Sequence, residues 1–425
     1  MKRLLAPFAL LTLAGAASAS PFVLEELVRE GDVLPGLAEP VLIIGVPSIN
    51  SSGDWAIPVT SPNGPYPSRE SGVLGNDGFR ILPGFDPDGA ESLTTLEYTT
   101  ATMRNSGELA VAGYRLMSGA PAEIWLGDSV VADPSGGLFR RITVLPDETV
   151  IASVGGASLA SESDGEGAWT WSIVHGPGIE IPVGTLVLTS GNGRQSYARS
   201  ASGREAWLGF IEPNGSRGEP SWSIAADDRF IVVDGEKSAI PGYDYRIGGS
   251  SIEMQEDGDL FFGVGLEWSG TGPAQYGSGI FREDGSALVT SFDYIEDLEG
   301  LGKWGVRGDQ FRVTEQDDLL WVAQATVAPG PDDPFGVTRT ALMYNDTVLA
   351  QTGDILADGA TLLGMTRLAM SDDGGWIIAT FWVQDPVLGN VDAVYRIAVP
   401  TPGVLSLGVI TGLAAMRRRR PQLAG

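Results

Sequence analysis

Apolar residues in this chain are gathered into short blocks, parted by turns rich in Gly, Asp, Ser and Pro. One unit recurs: a turn of small or acidic residues, followed at once by a strongly apolar, β-prone segment. Its copies span residues 50–57, 105–111, 146–151, 202–207, 257–262, 316–321 and 373–378. With Gly53, Gly107, Asp147, Gly203, Gly258, Asp317 and Gly374 as equivalent turn positions, the spacings are 54, 40, 56, 55, 59 and 57 residues. Gly and Asp suit these places because both accept the backbone conformations that tight hairpins demand. The unbroken apolar run after each turn predicts a strand covered on both faces.

A second pattern lies between the copies: a short apolar strand, a polar turn and another strand. It is seen at residues 72–75 and 79–82, 222–224 and 230–232, 280–282 and 287–289, and 341–344 and 348–350. Each repeat thus reads as four strands, and a period of about 53 residues suits a four-stranded propeller blade. Glu30-Gly31-Asp32-Val33-Leu34 matches Thr352-Gly353-Asp354-Ile355-Leu356, a last-strand motif. Ala393-Val394-Tyr395-Arg396-Ile397 is a third-strand motif with no fourth strand after it. One blade is therefore expected to be divided between the termini, which hides two strand edges. The expected fold is all-β: a single seven-bladed β-propeller of four-stranded blades over residues 21–398, closed by pairing of the N- and C-terminal strands. A β-sandwich pair and a six- or eight-bladed ring are the alternatives.

The two ends read as addresses. Residues 1–19 carry Lys2 and Arg3, an apolar stretch and the small residues Ala17-Ser18-Ala19, the three parts of a cleavable secretory signal peptide. Residues 399–425 contain Pro400, Thr401 and Pro402, an apolar run from Val404 to Met416, and then Arg417, Arg418, Arg419 and Arg420. That run is short of the roughly 20 residues of an ordinary spanning helix, but a terminal Arg cluster can orient a transient membrane stop. The tail resembles the PEP-CTERM class of sorting signals, with Thr401 where the namesake motif has Glu. The resemblance implies export, transient membrane contact through the tail, processing by an exosortase-type peptidase, and a mature protein secreted or displayed at a bacterial surface. The turn unit resembles the tandem NxxGxxAF repeats of exported proteins; the copy nearest that pattern has Asn50, Gly53, Ala56 and Ile57. Later copies replace the Asn by Arg104, Ser200, Gln255, Thr314 and Ser371. This second resemblance implies a propeller-like repeat protein and no defined chemistry.

Charge narrows the partners. Fifty-four acidic residues against 27 basic ones give a net charge of −27, and all but three of the cations are Arg. So anionic a body repels phosphate backbones, which argues against nucleic-acid binding. With no cysteine in the chain, disulfides, thiolate metal sites and Cys nucleophiles are excluded.

Candidate chemistry is sparse. His175 is the one histidine, in a strand-to-turn setting with no Gly-x-Ser-x-Gly elbow, so it reads as structural. No cofactor is expected. The acidic turns at residues 86–89, 257–259, 317–318 and 372–374 offer oxygens of the kind structural Ca²⁺ prefers, without full EF-hand spacing. Trp55, Trp207, Trp321 and Trp376 fall inside the recurring strand and are expected in blade packing. Trp169, Trp171, Trp268 and Trp382 lie nearer loops, where an indole could stack on a sugar ring. The expectation is an exported, cell-surface or matrix binding or scaffold module for an extracellular polysaccharide or surface protein. The alternative is an extracellular carbohydrate-active enzyme using carboxylates at the propeller channel.

Overall fold

The computed structural model describes residues 22–399, apart from 63–68, 82–95, 116–122, 127–128, 132–138, 145–148, 155–156, 164–168, 190–195, 216–218, 272, 274, 297, 299–302 and 328–336. The terminal addresses, Asp147 and the acidic turn 86–89 lie outside the described residues.

The chain is an all-β propeller. Its described strands fall into seven sheets, numbered here along the chain. Sheets two, three, five and six each run through four consecutive antiparallel strands from an inner to an outer one. In the fifth these are Tyr243–Met254, Leu260–Trp268, Tyr276–Arg282 and Ala287–Thr290, and in the sixth Trp304–Val313, Leu319–Val327, Val337–Tyr344 and Thr347–Gln351.

Two sheets depart from four unbroken strands. The inner strand of the first is split into Ile43–Ile44 and Ser48–Ile49, both pairing with Trp55–Pro62. Pro47 lies at the break, where its missing N–H could not have joined the ladder. The fourth sheet has its inner strand in two pieces, Gly184–Thr189 and Tyr197–Arg199, with Glu180–Ile181 added outside the first piece.

The seventh sheet combines three strands, Thr361–Met370, Trp376–Asp385 and Gly389–Ala398, with the N-terminal Leu24–Arg29. Leu24 pairs with Ile397 and Arg29 with Ala393, so the N-terminal segment supplies the outer strand that the C-terminal segment lacks. The matching sequence motifs make the same corner. The Asp32 carboxylate accepts the Arg29 amide at 2.8 Å, and the Asp354 carboxylate accepts the Gln351 amide at 2.8 Å.

Alternation along the second strand of each sheet places one residue toward each neighbouring sheet. Phe261 packs with Trp304 and Trp321 of the sixth sheet, whereas Phe262 packs with Leu208 and Ile224 of the fourth. The same logic joins the sixth sheet to the seventh through Leu320, Leu342, Ile377 and Phe381. Val28, Ile378 and Val394 of the seventh meet Ile44, Trp55 and Ile57 of the first. These side chains are at most 8% exposed, and each contributes about 1.5–3 kcal/mol of hydrophobic stabilisation.

A buried cation fixes the N-terminal strand. The Arg29 guanidinium reaches Glu26 at 2.5 Å and the Tyr395 hydroxyl at 3.2 Å, and it pairs with Asp358 and Asp385. Burial alone would lower its pKa, but the hydrogen bonds it donates to Glu26 and Asp358 outweigh this and hold it above its ordinary value.

Candidate functional site

The recurring turns share one backbone geometry. At Gly53, Gly107, Gly203, Gly258, Asp317 and Gly374 the amide donates to the carbonyl three residues earlier, and φ lies between 65° and 104°. In the first five this closes a three-residue hairpin loop with a left-handed residue, which explains the Gly or Asp, while the Gly374 turn is one residue longer, the Ser371 amide donating to the Trp376 carbonyl. All these turns link an inner strand to a second strand, so they gather at one face of the propeller.

The residue three before that left-handed position explains why Asn can be replaced. Asn50 is 2% exposed; its Oδ1 accepts the amides of Ser52 and Asp54, and its Nδ2 donates to the Arg104 carbonyl of the next sheet at 2.9 Å. Ser200, Thr314 and Ser371 keep only the first task, their hydroxyls accepting the amides of Arg204, Asp318 and Trp376. Gln255 keeps the second, donating to the Thr314 carbonyl of the following sheet.

Arginine supplies a second link that the sequence reading missed. Arg396 donates to the Gly53 carbonyl at 3.2 Å, Arg80 to that of Gly107 at 3.3 Å and Arg204 to that of Gly258 at 2.6 Å, each reaching from the preceding sheet. Arg282 pairs in the same way with the Asp317 carboxylate at 3.0 Å. A planar, permanently charged fork suits this reach, and the near absence of Lys was the available signal.

On the same face the turns bring carboxylates together. Asn105 Nδ2 donates to Asp372 Oδ2 at 2.8 Å, and its Oδ1 accepts the Ser51 amide at 3.0 Å, so turns of the seventh, second and first sheets meet. Burial raises the Asp372 pKa, and Asp373 adds to this while Asn105 opposes it. Burial likewise raises that of Glu256, reinforced by the charges of Asp372 and Glu315.

The acidic turns are engaged internally. Asp257 accepts the Asp259 amide, Asp373 accepts the Gly375 amide, and Asp318 accepts Asn345 Nδ2. Among the described residues, no three His, Asp or Glu side chains converge as a metal site.

His175 is fully buried, with Nε2 3.0 Å from the Leu208 carbonyl and Nδ1 3.5 Å from the Ser196 hydroxyl. A carbonyl can only accept, so Nε2 carries the proton and Nδ1 accepts from Ser196. Burial lowers the pKa to about 4, keeping the ring neutral. Alongside it Trp207 Nε1 donates to the Val174 carbonyl at 3.1 Å, so both groups join the third sheet to the fourth.

A cavity of about 510 Å³ lies between the fifth and sixth sheets, partway along their strands. Gly248, Gly249, Gly265, Gly277 and Gly308 supply much of its wall, with Ser278, Arg307 and Gln324 as polar groups. It opens where inner strands bulge: register breaks between Arg246 and Ser251, and again between Val306 and Phe311. The sequence signal for it was the Gly248-Gly249 pair inside a strand.

Trp55, Trp207 and Trp321 are buried between sheets. Trp376 is half-buried, stacks under the Arg396 guanidinium at 5.1 Å and leaves no room for a side chain at Gly53. Trp268 packs edge-on against Tyr243 at 5.3 Å, while Trp382 is 44% exposed. The side chains of Trp169 and Trp171 lie outside the described residues.

No family model matches the chain, and no curated protein is significantly similar to it. Solved structures resemble it distantly. A protein of unknown function from Dyadobacter fermentans is 12% identical, with 89% of this chain and 99% of that chain covered and a TM-score of 0.38. The Dos1 propeller is 8% identical over 87% and 94% of the two chains, with a TM-score of 0.37. Streptogramin B lyase is 9% identical over 88% and 97%, with a TM-score of 0.36.

Proposed function

We propose that this chain is an exported, non-enzymatic binding or scaffold module of the bacterial surface or extracellular matrix. It is built as a ring of seven blades, one per sheet, closed where Leu24–Arg29 joins Gly389–Ala398. The observation that carries the binding reading is the described lining of the 510 Å³ cavity: backbone, hydroxyl, amide and guanidinium groups, with no Asp or Glu among the described lining residues. Its size falls within the roughly 300–1,000 Å³ of ligand sites, and its polar groups can hold a ligand but cannot act as an acid–base pair.

Residues 1–19 engage the export machinery, and the tail from Pro400-Thr401-Pro402 to Arg417–Arg420 is read by an exosortase-type peptidase. Mass spectrometry of the exported protein should find a chain that begins at Ser20 and lacks the Arg cluster. Retention of both ends would overturn this address.

A second reading, a carbohydrate-active enzyme, draws on Glu256 and Asp372, whose raised pKa values suit a general acid. Incubating the full-length protein with extracellular polysaccharides separates the two. Binding without released oligosaccharide supports the module; release that is abolished by Asp372→Asn would replace it with the enzyme.

A further inference from the structure

The exposed apolar side chains are not spread evenly. In each sheet the recurring turns and the links from third to outer strand lie at one end, and the links from second to third strand and between sheets lie at the other. Of the thirteen large hydrophobic residues exposed among those described, only Val23 sits toward the recurring-turn end. The remaining twelve lie toward the opposite face. They include every exposed aromatic residue described: Tyr276, Phe292, Tyr294 and Trp382.

Two of these aromatics, Tyr276 and Phe292, adjoin the cavity-lining Gly277, and Tyr294 lies two residues beyond Phe292. On the strand Tyr276–Arg282, Ile280 faces the sixth sheet and Phe281 the fourth, so period-two alternation turns Tyr276 and Ser278 toward the sixth sheet. Gly277 and Ser278 line the cavity, and Tyr276, 64% exposed, immediately precedes them on the same strand. Phe292 packs on Tyr243 at 4.6 Å over Gly277, and Tyr294, 78% exposed, follows it in the link to the sixth sheet.

We propose that this face binds a neutral polysaccharide, with sugar rings stacked on Tyr276 and Tyr294 and a chain segment held in the glycine-walled cavity by Ser278, Gln324 and Arg307. The proposal rests on the binding-module reading and names its ligand class and its site. Three features select this occupant. An exposed Tyr ring offers an apolar face that can cover the C–H side of a pyranose while its hydroxyl stays wet. The wall presents uncharged hydrogen-bonding groups and one guanidinium, which match sugar hydroxyls. The net charge of −27 disfavours a polyanion.

The test uses the full-length protein, a soluble neutral β-glucan and, as anionic comparator, polygalacturonate, with binding followed by affinity electrophoresis and calorimetry. Wild type should bind the glucan and not the polyanion. The double variant Tyr276→Ala/Tyr294→Ala should bind at least about tenfold more weakly at an unchanged melting temperature, as loss of hot-spot aromatics does. Tyr276→Phe/Tyr294→Phe should stay near wild type, and Val23→Ala at the recurring-turn end should be neutral. Glucan binding that the double alanine variant leaves intact would sink the site while sparing the module. Preference for the polyanion would sink the ligand class. Released oligosaccharide would overturn the module reading itself, and no binding to either polymer would overturn the proposal.

Discussion

The buried His175 should make the protein acid-sensitive in a calculable way. In the folded state burial holds its pKa near 4, whereas the unfolded chain would titrate at the ordinary 6.5. Above pH 6.5 the ring is neutral in both states and costs nothing. As pH falls from 6.5 toward 4 the unfolded chain binds a proton that the folded chain refuses, so stability is lost over that window. At about 1.36 kcal/mol per pH unit the loss reaches about 2 kcal/mol by pH 5 and about 3 kcal/mol near pH 4. Several carboxylates titrate in the same range, so the histidine must be isolated by difference. Urea unfolding of wild type and His175→Gln, at intervals from pH 7.5 to 4.5, does this, because Gln can still donate to the Leu208 carbonyl without taking up a proton. The wild-type curve should fall relative to the variant by about 2 kcal/mol between pH 7 and pH 5. Parallel curves would show that the buried imidazole is already protonated or reached by water, and the reasoning would fail.

Three further outcomes follow from the packing. Arg29→Ala leaves Glu26, Asp358 and Asp385 without their cation and should cost about 3 kcal/mol, read by denaturant unfolding, since removing one partner of a buried ion pair typically costs 3–5 kcal/mol and these carboxylates are partly solvated. Gly107→Ala meets no neighbouring atom and should cost about 1–2 kcal/mol for its left-handed backbone, whereas Gly53→Ala must also displace the Trp376 ring, 2.7 Å from the new Cβ, and should lower the melting temperature further. Asn50→Ala removes the bond to the Arg104 carbonyl and leaves two turn amides without their acceptor, so about 1–3 kcal/mol should be lost; an unchanged unfolding midpoint would contradict the linking role of this position.

Much of the architecture was legible because it follows from local rules. A left-handed turn residue needs Gly or Asp wherever it stands, and a strand packed between two sheets needs apolar residues on both faces, so the turn from Asn50 to Gly53 and the run from Leu260 to Phe262 announce themselves. The pairing of Leu24–Arg29 with Gly389–Ala398 could be anticipated because each segment carries half of a motif found whole elsewhere in the chain. The packing of Trp207 and Trp321 followed from their place within the recurring strand.

Other features exist only through contacts between residues far apart in the chain. Asn105 meets Asp372 across 267 positions, and Arg396 reaches the Gly53 carbonyl across 343, with no spacing or local pattern to relate them. The split inner strand of the fourth sheet was hidden because both pieces share the apolar character of a single strand. Least visible was the face that gathers Tyr276, Phe292, Tyr294 and Trp382. Tyr276, Phe292 and Tyr294 come from a strand end and a link between sheets, where no periodicity constrains them, and only the stacking of one sheet on the next brings them to one side with Trp382. The sequence by itself thus determined the repeat, its turns and its strands, because backbone conformation and burial are local demands. Which side chains meet between repeats, and so where a ligand could sit, was decided by the tertiary structure, because that depends on how the sheets are placed against one another.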